Sequence, residues 1–204
     1  MLTTTPVSLG EYVPTGDQII VMHGVSWEGY ETMLALRGER SRPKLAYLDG
    51  ELELMTTSRD HEGIKSSVGR LVERFCLETG IDFSPFGNWT QKKQVKEAGA
   101  EPDECYIFGK KPKEKSQPDL VIEVVWISGG INKLEIYRRL GIAEVWFWKR
   151  DALRVHVLVG DTYEERERSA FIPDLDLAWL CKLAQIEPTS DAIRELVEQL
   201  KPAP

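Results

Sequence analysis

The stretch Gln117–Trp148, QPDLVIEVVWISGGINKLEIYRRLGIAEVWFW, reads as strand, glycine turn, helix, strand. Its first segment, Asp119 to Trp126, is almost wholly apolar and β-branched, the pattern of a strand covered on both faces. Glu123 breaks that pattern. An ionised carboxylate in the middle of a buried strand is costly unless a metal ion, a cation or several donors meet it. On a helical wheel Ile131, Leu134, Ile136, Tyr137 and Leu140 form a broad apolar arc. Lys133 falls inside that arc, whereas Glu135, Arg138 and Arg139 lie outside it or at its edge. A carboxylate in a strand and an ammonium on the next helix, both facing inward, can satisfy each other or a shared ligand. Tyr137 reads as core.

The 204 residues suit one domain with length enough for a large core. The 42% hydrophobic and 29% charged content is that of an ordinary soluble globular protein, so membrane and low-complexity classes drop out. A net charge of −7 requires any nucleic-acid partner to be held by local basic patches against the overall field. That counts against a non-specific nucleic-acid binder and leaves open an enzyme acting on nucleic acid. Cys76, Cys105 and Cys181 are odd in number, widely spaced and set in apolar or strand-like contexts. They form no disulfide framework and no zinc pattern, which points to a reducing cytoplasm. No signal peptide is expected, and no window has the length of a membrane-spanning helix.

Around the central stretch, residues 1–25 read as an irregular N-terminal arm, 43–180 as the core, and 189–201 as a C-terminal helix. Ser26 caps a helix to about Leu36. The segment KLAYLDGELELM alternates around Asp49-Gly50, the commonest two-residue hairpin turn. A helix follows from about Asp60 to Thr79 and stops at Gly80, with Ile64, Val68, Leu71, Val72 and Phe75 as its stripe. His61 lies near the edge of that stripe; Glu62 and Glu73 point away. Ile81–Phe83, Trp89–Val95 and EPDECYIF read as short strands, the last with Asp103, Cys105 and Ile107 on one face. Leu153–Val159 and Tyr163–Ser169 form a hairpin whose second strand is charged, as an edge strand can be. Thr189 caps the last helix.

Asp103 and Glu123 are both acids embedded in otherwise apolar strands. If those strands are neighbours, the carboxylates converge. Two carboxylates side by side repel, and a hard cation such as Mg²⁺ removes the repulsion while keeping several waters for chemistry. A lysine beside the ion can stabilise charge developing on a phosphate or position the attacking water. The combination suits phosphodiester hydrolysis.

Pro102-Asp103, followed by Glu123 in a later strand, resembles the PD-(D/E)XK nuclease superfamily. More closely, YLDGELELM, HEGIKSSVGRLVE, EPDECY and the central stretch resemble the Uma-two (Uma2) family of restriction-endonuclease-like proteins, over roughly Pro43 to Leu180. The resemblance implies a restriction-endonuclease-like fold of the α/β (α+β) class, a central mixed β-sheet flanked by helices. It implies a metal-dependent endonuclease, acting first on DNA, with Asp103 and Glu123 as ligands of Mg²⁺ or Mn²⁺. The lysine expected two residues after Glu123 is Val125 here, and Lys133 on the next helix is its replacement.

Asp119 and His61 are second-rank members of this site. Asp119 shares Glu123's face by alternation, with strand-start capping as its competing role; for His61 the competing role is that of a satisfied, partly buried histidine. Nucleic acid is expected to approach through the basic segments Lys92–Lys96 and Lys110–Lys115, no membrane is expected, and the resemblance implies a homodimer. Trp146-Phe147-Trp148 reads as sheet packing. The main alternative is a catalytically silent relative serving as a dimeric binding or scaffold module, which Val125 and the net charge favour.

Overall fold

Turn and cap chemistry sets the element boundaries in the computed structural model, which describes residues 16–126 and 130–201. Of the expected N-terminal arm, residues 1–15 lie outside the described residues, whereas Gln18–Met22 form a strand, β1. Ser26 accepts from the Gly29 amide at 3.2 Å and starts α1 (Trp27–Arg37). Asp49 and Gly50 both take positive φ, 46° and 87°, closing the tight hairpin of β2 (Lys44–Leu48) and β3 (Glu51–Thr56). Ser58 accepts from the His61 amide at 3.2 Å to open α2 (Arg59–Thr79), which ends at the left-handed Gly80. Short strands β4 (Phe83–Pro85), β5 (Gln91–Lys93), β6 (Ala98–Ala100) and β7 (Glu104–Phe108) lead to β8 (Leu120–Val124). Then come α3 (Lys133–Leu140), β9 (Glu144–Lys149), β10 (Ala152–Val159), β11 (Thr162–Arg166), α4 (Leu177–Leu183) and α5 (Thr189–Leu200).

Six strands form a mixed sheet in the order β11-β10-β9-β8-β7-β4, in which β8 and β9 run parallel and are joined through α3. This is the expected mixed sheet with flanking helices. A second, antiparallel sheet of five strands, β1-β3-β2-β6-β5, lies beside it. All five residues of β8 are buried, as its unbroken apolar run requires. Ile122 and Val124 pack with Trp146 and Trp148 against Val68, Leu71 and Val72 of α2 and Leu180 of α4. Val121 and Val145 face the other way, onto Ile136, Tyr137 and Leu140 of α3 and Ala46 and Ala98 of the second sheet. Each fully buried aliphatic side chain here contributes ~1.5–3 kcal/mol. Strand alternation therefore sends Glu123 to the α3 side, into the space between the sheets.

Thr189 is not the cap expected of it. It is the first residue of α5, behind Pro188, and its hydroxyl lies 3.0 Å from that of Ser67, tying α5 to α2.

Candidate active site

The register of β7 and β8 sets Glu104 opposite Ile122, so one step further Asp103 stands opposite Glu123. Glu123 is fully buried. Asn132 caps α3 by accepting from the Glu135 amide at 3.1 Å, and the first helical residue, Lys133, places Nζ 2.9 Å from Glu123 Oε2. One turn later the Tyr137 hydroxyl donates to Glu123 Oε1. Tyr137 is thus core, as the wheel implies, and also a ligand of the buried acid. Burial raises the Glu123 pKa; Lys133 pulls it down, while nearby Asp103 adds to the rise. For Lys133 burial works against the charged form, but Glu123, Asp103 and Glu53 outweigh it and hold the ammonium protonated.

Asp103 sits immediately before β7, and Lys44, the first residue of β2, donates to its Oδ1. His61 Nε2 lies 3.0 Å from the same oxygen, and Oδ2 accepts from the Val124 amide at 2.7 Å. Burial alone would raise the Asp103 pKa. The charges of Lys44, His61 and Lys133 outweigh it and hold the carboxyl below its usual range. On its other side His61 Nδ1 meets Asp17 Oδ2 at 2.8 Å, and the Ser58 amide donates to Asp17 Oδ1. Burial lowers the His61 pKa, but the two flanking carboxylates win and raise it to about 9, so the ring is an imidazolium at neutral pH.

Glu53, on β3, is the acid that the sequence pattern hides. Alternation in ELELM assigns it to a solvent face, yet α3 covers that face and leaves Glu53 only 2% exposed. Its Oε2 accepts from the Ile131 amide at 3.0 Å, and its Oε1 lies 4.0 Å from Lys133 Nζ. A Cβ on Gly130 would overlap Glu53 Oε2, so the chain needs glycine there to let the carboxylate approach. Glu53, Lys133, Trp126 and Phe147 line a cleft of about 280 Å³. Asp103 and Lys44 open instead on a smaller cleft of about 160 Å³, so the buried charges run from one cleft to the other.

Asp103, Glu123, Lys133 and His61 come together as the sequence suggests; Asp119 does not join them. It immediately precedes β8, accepts from the Phe108 amide at 2.8 Å and from Lys115, and lies four residues, roughly 13 Å, from Glu123. The expected basic segments are likewise displaced. Lys93 donates to the Leu140 carbonyl at the opposite end of α3 from Lys133, Lys92 pairs with Glu31, and Lys115 pairs with Asp119. Lys96 and Lys113 of the same segments are exposed and have no carboxylate partner among the described residues. Asp17 and Lys44 escaped the sequence reading, one for lying outside any periodic segment, the other for opening an ordinary amphipathic hairpin.

Four carboxylates, Asp17, Glu53, Asp103 and Glu123, face three cations, Lys44, His61 and Lys133. Fully ionised, the cluster is one positive charge short. Hard oxygens in that balance suit Mg²⁺ or Mn²⁺. Among the described residues no group of three or more acids, histidines or cysteines is already arranged around an ion position, because ammonium groups lie between the carboxylates.

A family model described as "Putative restriction endonuclease", Uma2, matches residues 27–181. No curated protein matches the chain. Among solved structures, a protein titled "putative nuclease belonging to DUF820", from Anabaena variabilis, superposes with a TM-score of 0.50. The alignment covers 82% of this chain and 97% of that one at 14% identity, a likeness of fold.

Proposed function

The chain belongs to the Uma2 family, and on that premise we propose that it is a metal-dependent nuclease that hydrolyses phosphodiester bonds, in DNA first. One observation carries the reading: Asp103 and Glu123 face each other across adjacent strands, and Lys133 bridges from Glu123 to the wall of a cleft. Asp103 and Glu123 would hold Mg²⁺ or Mn²⁺, with Glu53 turned toward the same ammonium. A bound ion supplies an acidified water and a Lewis acid for the phosphoryl oxygen. Lys133, kept protonated by its three acidic neighbours, presents an ammonium to charge that develops on the phosphate. Tyr137 fixes the Glu123 rotamer, while Lys44 and His61 fix Asp103. His61 acts here as a positioning group, whereas Asp119 fastens its own loop through Phe108 and Lys115.

Incubation of plasmid, single-stranded DNA and RNA with the protein and Mn²⁺ is the direct test. Cleavage that disappears in Glu123→Gln and Lys133→Ala is the expected result; cleavage indifferent to both would remove the reading.

A second reading, a catalytically silent scaffold, is favoured by one feature: both oxygens of Asp103 and of Glu123 already have protein donors. Titration calorimetry with Mn²⁺ separates the two. Binding that is lost in Glu123→Ala belongs to the enzyme, and its absence to the scaffold. A homodimer in the cytoplasm completes the proposal, the first readable by sedimentation, the second in keeping with three free, buried cysteines. No helix among the described residues is long and apolar enough to cross a membrane.

A further inference from the structure

Of the chain's six tryptophans, all within the described residues, Trp126 alone is more than a third exposed, at 41%. Trp146 and Trp148, both on β9, are buried in the core. Trp126 lies two residues past the end of β8 and three beyond Glu123. It lines the 280 Å³ cleft with Glu53, Lys133, Phe147 and Lys149, and it also lines an adjoining cleft of about 570 Å³ with Arg59 and Ile64 of α2, where Asp60 and Glu187 are the acidic residues. It therefore forms the ridge between the two. Lys149 and Arg59, one on each side, are exposed and have no carboxylate partner among the described residues.

An indole left in water on a ridge, with an unpaired cation in the hollow on either side, has the chemistry of a stacking platform for a base whose flanking phosphates meet the cations. We propose that Trp126 stacks one nucleobase of the substrate and that the substrate is therefore single-stranded nucleic acid or a locally opened strand, not intact duplex. A base within a duplex has no free face to offer, so a stacking platform takes a base only from an unpaired or locally opened strand. The proposal rests on the nuclease reading for the position of the scissile phosphate, beside Lys133. Stacking supplies affinity on an otherwise acidic surface, and it is tolerant of sequence because every base has a π-face.

The test measures binding by fluorescence anisotropy, in EDTA so that nothing is cut, of a labelled single strand of about 12 nucleotides, enough to span a site of the usual size, and of the matching duplex. The single strand is expected to bind at least about tenfold more tightly. Trp126→Ala is expected to weaken it by about 5- to 100-fold and Trp126→Phe by no more than about threefold, the range of one stacked base. In Mn²⁺, Trp126→Ala should raise KM and leave kcat nearly intact. Equal affinity for duplex and single strand, or unchanged binding in Trp126→Ala, overturns the platform. If cleavage still depends on Glu123 in that case, the nuclease reading stands without it. Trp126-dependent binding with no cleavage supports the platform and removes the nuclease.

Discussion

At Glu123 a single carboxylate accepts from an ammonium and a phenol in a space closed to water. Removing one partner of such a buried pair leaves the other charge stranded. Glu123→Ala is expected to lose ~3–5 kcal/mol of stability in urea unfolding, with Glu123→Gln losing less because it still accepts from Tyr137. Lys133→Ala is expected to lower kcat by ~10²–10³, the usual cost of one donor to a developing oxyanion. Gly130 offers a sharper probe of Glu53. Gly130→Ala drives a methyl into the Glu53 carboxylate and should cost ~1–3 kcal/mol, most of it recovered when Glu53→Ala is added. Additive losses in that double-mutant cycle would mean that the two residues do not press on each other.

The opening of α2 is the element where charge and helix geometry meet. Ser58 caps it, the Ser58 amide is held by Asp17, and His61, one turn in, spans Asp17 and Asp103. Because the folded pKa of His61 is raised to about 9 from an ordinary 6.5, its contribution is fully present below pH 6.5 and is lost as pH rises through about 9. The metal-free protein is expected to lose roughly 3 kcal/mol across that window, and His61→Gln to flatten the profile. Urea unfolding at the two ends of the window measures both. A histidine at the edge of an apolar stripe is legible in the sequence as partly buried. That it bridges two acids is not, since Asp17 lies 44 positions away.

For the whole molecule, net charge and cleft chemistry make affinity depend weakly on salt. If only Lys149 and Arg59 meet phosphates, the slope of log K against log salt for single strands is expected near −1.5; a slope beyond about −4 would mean a basic footprint elsewhere. The sequence alone determined the strand-helix-strand unit, the Asp-Gly hairpin and the inward pair Glu123 and Lys133, because each is written in local periodicity or turn chemistry within a few dozen residues. Tertiary structure alone decided that α3 covers the Glu53 face of the second sheet, that Lys44 and Asp17 complete the charge cluster, and that Lys93 is drawn to the Leu140 end of α3, away from Lys133. Those outcomes turn on which surfaces meet across long separations, and the hydrophobic alternation of a strand says which faces it has without saying what will cover them.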